Sequence, residues 1–441
     1  MNNINDNLTK ALKTVQKMIG PTALQKCYID LDAAARMADF STDLGIRRCL
    51  VISDSNTRAA AGEHVFLALR YAGNGTTDLV LKMEPLEATI EIAEFVTEKA
   101  ANLDGIVAVG AGTLSDLAKY AGNKLQKPVL LYATAPSMNG YTSSIVALRI
   151  KGLKQTIPVK PASGVFADPE VLVAAPSRMI AAGFADYLSK SSASADWAVA
   201  HMLRSEPYQP EAFEFYKGIY DELLSLASEI GAGKPEAITK LMQGLLLSGL
   251  SMLAAGASSP VSGGEHLISH YLDMKSAFEG VSHDLHGAQV GVATIQTLSL
   301  WQQILNTGPT SIDPEKLSSN YPSEKDIEAA IEEDWGPVAK TILEQWRPKS
   351  RTPHEIRMEL EVFKSRADEF LGMIRKEMET PQKIAQAIQA VGGPITAKEL
   401  TIRERDFQKA ISNARFLRNR FTVLDLAAEL GLIPPFYDSG N

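Results

Sequence analysis

The chain has only two cysteines, Cys27 and Cys49, among 441 residues. That excludes a disulfide framework and suits a reducing compartment. Apolar runs are broken by Gly and Ser before they reach the roughly 18 residues of a membrane span. The first residues, MNNINDNLTKALKTVQ, lack the basic start and apolar core of a secretory signal. Positive charge is in deficit, with 44 Lys and Arg against 52 Asp and Glu. The net charge of −8 argues against a general nucleic-acid-binding surface while leaving room for a local basic pocket. Neither an internal repeat nor a long low-complexity tract is present. These absences together predict a cytoplasmic enzyme with no nucleic-acid and no membrane partner.

What is present is an ordinary globular composition, 45% hydrophobic and 22% charged. The length exceeds what one core usually serves, so two domains are expected. The texture predicts an α/β, Rossmann-like domain over 1–175 with a mostly parallel sheet, followed by an all-α domain over 176–441. In the first part, short apolar runs at 27–29, 49–52, 78–83, 106–109 and in PVLLYAT read as strands separated by helical segments. The runs 147–150, 156–159 and 164–169 read as an antiparallel edge flap. From Pro176 onward the pattern is Ala/Leu/Met-rich and helical. The apolar stretch before His266 reads as a buried bundle helix, and 308–323 as a surface loop. The arginines of RERDFQKAISNARFLRNRF read as solvated helix faces.

Three local patterns carry chemistry. Asp54 ends the strand CLVIS, where a ribose hydroxyl is often held; a helix N-cap is the competing role. In VAVGAGTLSDLAKY, a glycine turn feeds a helix whose N–H groups suit a pyrophosphate, although the third glycine of the usual dinucleotide fingerprint is missing. The third pattern lies between Gly263 and Gly287, which holds four of the seven histidines. His266 and His270 are one helical turn apart, and His286 opens the approach to another helix. Neutral imidazole is the commonest side-chain metal ligand, so a metal site is the sharp reading. Two histidines are only half of a tetrahedral shell, and His283 reads as a bystander in a turn. Asp186 and Lys190 sit four residues apart on a predicted helix, where a plain ion pair is the simpler explanation.

In order, VAVGAGTLSDLAKY, TAPSMNGYTSS, GFADYLSK, GGEHLISH and DLHGAQVGVATI resemble the motifs of the glycerol-1-phosphate dehydrogenase family, bacterial type. That family lies in the superfamily of iron-containing alcohol dehydrogenases, glycerol dehydrogenase and dehydroquinate synthase. The resemblance covers about residues 45 to 300. It implies a dehydroquinate synthase-like fold and an NAD- or NADP-linked oxidoreductase acting between sn-glycerol 1-phosphate and dihydroxyacetone phosphate. By the same resemblance, Asp186, His266 and His286 would ligate one divalent ion, with zinc, nickel and iron all compatible. Asp54, the turn Gly112, Thr113, Leu114, Ser115 and Asp116, the segment Thr134, Ala135, Pro136 and Ser137, and Ser143 would hold the dinucleotide. Asn139, Asp186, Lys190 and His270 would contact substrate, with Asp186 and His270 catalytic. Relatives usually carry Asp at the position of Asn139 and GGG where this chain has GAG.

The residue types fit such chemistry. Oxidising a secondary alcohol removes its O–H proton as hydride leaves the adjacent carbon, and a Lewis-acidic ion on that oxygen lowers its pKa. One carboxylate and two imidazoles leave an ion with open positions, as catalysis requires. His270 would relay the proton, and Lys190 with Lys154 or Lys160 would meet the phosphate. Asp54 would repel a 2′-phosphate and favours NAD over NADP. A homodimer is expected as the commonest assembly. The alternatives are a glycerol or polyol dehydrogenase, a dehydroquinate-synthase-like lyase using NAD without net turnover, and a non-catalytic binding protein.

Overall fold

The computed structural model describes residues 2–279, 283–308 and 311–437. They form two compact units that interleave along the chain. The first unit comprises Met1–Tyr187, Glu211–Ala257 and Ala390–Gly393, and the second Leu188–Pro210, Ser258–Gln389 and Pro394–Asn441.

The first unit is built on a parallel sheet. Its strands are β1 (Lys26–Ile29), β2 (Arg48–Asp54), β3 (Gly75–Leu81), β4 (Gly105–Gly110), β5 (Val129–Ala133) and β8 (Gly164–Ala167), in the order β1-β8-β5-β4-β2-β3. Strands β4, β5 and β8 are buried at every position. GIVAVG, VLLYA and GVFA are therefore apolar runs without alternation, as expected when both sheet faces are covered. Helix α1 (Asn2–Ile19) precedes the sheet, and the crossover helices are α2 (Ala33–Asp43), α3 (Glu63–Tyr71), α4 (Ile90–Ala100) and α5 (Gly112–Leu125). Met37, Phe40, Val65, Leu69, Val109 and Tyr132 belong to one core cluster under the sheet.

Strands β6 (Ile145–Ile150) and β7 (Leu153–Pro158) form a separate antiparallel hairpin. Its two-residue turn has positive φ at both Lys151 and Gly152, the twist that a tight hairpin needs. The flap expected from the sequence is thus real but smaller. The 164–169 run leaves it and joins the main sheet as β8 between β1 and β5, paired parallel to both. Burial explains the difference, because β6 alternates between buried and half-buried positions while β8 is buried throughout.

The helical segments divide between the units. Helix α6 (Ser177–Leu188) lies in the first unit except for its last residue, and α7 (Lys190–Arg204) lies in the second. Asp186 and Lys190 therefore fall on two helices separated by Ser189, not on the single helix expected. Helix α8 (Pro235–Ala255), part of the first unit, is long and apolar enough to cross a membrane, yet 94% of its apolar window is buried. The second unit is helical, with α9 (Gly264–Glu279), α10 (His286–Asn306) and, near its end, Val423–Glu429. The expected loop at 308–323 contains a short helix, Pro314–Ser319; Asp313 caps it through the Lys316 N–H and proline fills its first turn. Pro309 and Thr310 lie outside the described residues. Of the arginines read as solvated, Arg403 and Arg405 are exposed, but Arg415 is buried at 2% exposure.

Candidate functional site

The first unit offers a crevice at the point where strand order reverses. From β2 the chain moves outward to β3, and from β4 it moves the opposite way to β5. The carboxyl ends of β2 and β4 therefore flank a switch point, the usual place for a ligand in an open parallel sheet. Asp54 ends β2, and Gly110 ends β4 in matching register. Asp54 is an N-cap: its Oδ1 accepts the Thr57 N–H at 2.8 Å, while its own N–H bonds Thr57 Oγ1 at 3.0 Å. Beyond Gly110, α5 begins at Gly112 with no acidic residue in its first turn. Gly112, Thr113 and Leu114 thus start a fourteen-residue helix beside the switch point, an arrangement that attracts a phosphate. The Thr134 N–H closes the neighbouring turn onto Gly110 O at 3.3 Å.

The 134–145 segment is pinned at several points. Tyr141 donates its hydroxyl to Ala135 O at 2.7 Å, and Thr142 donates to Leu246 O on α8 at 2.9 Å. Pro136 lies against α6 at Gly183, where a Cβ would stand 1.7 Å from Pro136 O. Only glycine permits that approach. Asn139, 9% exposed, grips Asp186, 1% exposed. Its backbone N–H donates to Asp186 Oδ2 at 3.0 Å and its side-chain amide to Oδ1 at 3.3 Å. Ser143 Oγ donates to Gly140 O at 2.9 Å. Ser137 sits half-buried in the same segment.

Asp116 faces the hairpin: its Oδ2 accepts the Ala147 N–H at 3.0 Å, and its Oδ1 lies 3.6 Å from Lys119 Nζ. Burial raises the Asp116 pKa against the pull of Lys119, and burial lowers that of Lys119. Ser115, one residue earlier, is buried, and its N–H bonds Ala111 O at 3.0 Å. Lys160 bonds Gln126 and Asn123 at the far end of α5 from Gly112, roughly 20 Å along the helix at 1.5 Å per residue.

The second unit brings three imidazoles together. His266 and His270 lie one turn apart on α9, and His286 is the first residue of α10. Ring centroids are 5.3 Å apart for His266 and His286, 6.3 Å for His266 and His270, and 5.6 Å for the stacked pair His270 and His286. The Nδ1 atoms of the two expected ligands are engaged. His266 Nδ1 lies 2.8 Å from Glu265 Oε1, and His286 Nδ1 lies 2.9 Å from Ser269 Oγ. A histidine donating through Nδ1 to a carboxylate carries its lone pair on Nε2, the tautomer and orientation seen in metal-ligating histidines. Glu265 is itself fixed, since Oε1 also accepts the Gly263 N–H at 2.7 Å. Behind it, Asp196 accepts the N–H groups of Gly264 at 2.6 Å, Val423 at 3.0 Å and Trp301 Nε1 at 3.0 Å. Burial and the neighbouring Glu265 hold the Asp196 carboxyl well above the usual range. Lys190 opens α7 at 1% exposure, with Nζ 3.3 Å from Ser189 Oγ. His283 is exposed.

Sequence reasoning passed over Lys119, Glu265 and Asp196. The first two lie inside the quoted motifs, in DLAK and GGEH, where their charge was the only signal. Asp196 carried none, because its partners come from residues far apart in the chain.

Residues 28–176 match the family described as iron-containing alcohol dehydrogenase. The fold is similar to that of an NADH-dependent butanol dehydrogenase A from Thermotoga maritima, with a TM-score of 0.55 and 14% identity over 92% of this chain and 90% of that one. The glycerol-1-phosphate dehydrogenase [NAD(P)+] of Bacillus licheniformis is 28% identical over 97% of this chain and 92% of its own length. The protein of the same name from Halalkalibacterium halodurans is 30% identical over 91% of this chain and 91% of its own. The chain belongs to the glycerol-1-phosphate dehydrogenase family.

Proposed function

We propose that the chain is an NAD(P)-linked, divalent-metal-dependent oxidoreductase that interconverts sn-glycerol 1-phosphate and dihydroxyacetone phosphate by hydride transfer at C2. The observation that carries this reading is the 30% identity spanning nine-tenths of the chain to a protein named for that activity. The polyol-dehydrogenase and lyase alternatives are set aside because these long-spanning relatives are named for the phosphorylated alcohol.

We assign the dinucleotide to the switch-point crevice, with its pyrophosphate on the turn that opens α5 at Gly112, a ribose hydroxyl on Asp54, and Thr134, Ala135, Pro136, Ser137 and Ser143 lining the remainder. Asp186, His266 and His286 each offer one ligand atom for a divalent ion. The donor set fits: one carboxylate and two imidazoles suit zinc, nickel or ferrous iron, and the bonds that Glu265 and Ser269 make to the imidazole Nδ1 atoms support it. When bound, the ion supplies Lewis acidity that lowers the pKa of the substrate alcohol. In the reductive direction a reduced dinucleotide held there would supply the hydride for C2, becoming oxidised, and a side chain must supply the proton that the alcohol oxygen gains. His270 is proposed as the group that delivers this proton, one turn from His266 and stacked on His286. Asn139 orients Asp186 and reaches substrate, and Lys190 is the proposed partner of the phosphate.

We further propose that 1–175 and 176–441 divide the labour as dinucleotide-binding and metal- and substrate-binding domains, and that the enzyme is a cytoplasmic homodimer. Sedimentation of the purified protein tests the dimer. Metal-loaded protein is expected to oxidise NADH with dihydroxyacetone phosphate at a kcat/KM at least about a hundredfold above that with dihydroxyacetone, because a phosphate-binding site left empty forfeits charge-assisted bonds. Equal rates on both would refute the phosphorylated substrate.

A further inference from the structure

Lys119 is fully buried in the third turn of α5 and reaches out of its own helix. Its Nζ donates to Gly140 O at 2.9 Å, Ile145 O at 2.7 Å and Ser143 Oγ at 3.4 Å. All three acceptors lie in one short segment, between Asn139 and the start of β6. The counter-charge, Asp116, sits one turn nearer the helix N-terminus and holds the Ala147 N–H with its other oxygen. Lysine and aspartate together thus fasten the 140–147 stretch to the helix whose first turn flanks the switch-point crevice.

A buried ion pair is a poor way to add stability, since well-packed apolar residues of similar volume do as well or better. A buried ammonium with three preset directions is a good way to fix loop carbonyls in one geometry. The hydroxyl it holds is that of Ser143, and its first acceptor, Gly140, directly follows Asn139. We propose that Lys119, with Asp116, is a positioning residue for dinucleotide binding. It locks the 140–145 loop against the N-terminal half of α5, so that loop and helix present one preformed surface. On this view Asp116 acts on the cofactor through Lys119 and the hairpin rather than by touching it. The proposal rests on the assignment of the dinucleotide to this crevice.

The test measures the NADH dissociation constant by fluorescence, alongside the melting temperature, for wild type, Lys119→Met, Lys119→Arg and Asp116→Asn of the full chain. Lys119→Met, folded, is expected to bind NADH about tenfold more weakly. Lys119→Arg, which keeps the charge and donors, is expected to recover most of that loss. Asp116→Asn leaves the lysine in place and is expected to weaken NADH by a smaller factor, about threefold. If Lys119→Met fails to fold, Asp116→Asn decides alone. NADH affinity within experimental error of wild type in a folded Lys119→Met, or in Asp116→Asn in its stead, overturns the proposal, even if the melting temperature falls. Wild type that binds no NADH overturns the crevice assignment instead. Wild type that binds NADH without reducing dihydroxyacetone phosphate overturns the substrate reading while leaving this inference standing.

Discussion

The inner strands of the sheet unit and the helices of the second unit handle polar side chains in opposite ways. In the sheet unit the inner strands β4, β5 and β8 are buried and apolar throughout, and chemistry-bearing groups appear where strands end: Asp54 at the end of β2, the Gly112 turn after β4, Thr134 after β5. In the helical unit the charges are packed inside. Arg204 bridges Glu359 at 2.8 Å and Glu429 at 2.7 Å, and Lys349 meets Asp425 at 2.8 Å, with every one of these side chains at least 85% buried. Geometry accounts for the contrast. A parallel sheet covered on both faces has no polar side along its strands, so function moves to the carboxyl ends. A helix buries only a stripe, so a polar residue can face a neighbouring helix provided that it meets a partner there.

The largest expected effect breaks the comparison by removing one donor from each unit. Asp186→Ala or His266→Ala is expected to lower kcat/KM by at least about a thousandfold and to abolish bound metal, because an incomplete donor set holds no ion at the reacting oxygen. Turnover and elemental content of each variant check this. A tenfold-to-hundredfold loss of metal affinity is the next largest effect, expected for Glu265→Gln, which frees the His266 tautomer. Chelator competition measures it. Folding should not suffer, since the change also removes a carboxylate that disfavours ionised Asp196.

Two glycines, one from each unit, give opposite signs of stability. Gly183→Ala drives a methyl into the backbone of Pro136 and is expected to cost about 1–3 kcal/mol. Gly372→Ala, on an exposed helix face of the second unit with nothing near its Cβ, is expected to add about 0.5–1 kcal/mol. Denaturant midpoints of the pair give both signs.

The smallest effect is a pH slope. Burial pushes the Glu429 carboxyl up to about 7 from an ordinary 4.5, with Arg204 and Arg415 opposing the shift and Glu359 and Asp425 reinforcing it. The folded state therefore binds a proton that the unfolded state has released, so this contribution is complete below pH 4.5 and is lost as pH rises through about 7. Glu429→Gln is expected to flatten the fall in stability across that window. An identical slope in both proteins would remove Glu429 from the account.

The sheet unit was the more legible region. Apolar runs such as GIVAVG and VLLYA announce buried parallel strands, and the glycine turn announces the helix start after β4. The one misassigned strand, β8, looked like its flap neighbours because a four-residue run carries too little periodicity to show which sheet it joins. In the helical unit the histidine spacing stood out, and the DP pair before the 314–319 helix was a readable cap signal inside a stretch taken for a loop. Arg415, Asp196 and Glu429 could not be placed from the sequence, because a charged residue on an amphipathic helix looks the same whether water or a distant carboxylate meets it.

The most direct test of the assigned activity is the configuration of the product. Metal-loaded wild type, given dihydroxyacetone phosphate and NADH, is expected to oxidise one dinucleotide per molecule reduced and to yield sn-glycerol 1-phosphate alone. Formation of sn-glycerol 3-phosphate, or no oxidation of either NADH or NADPH, would contradict it.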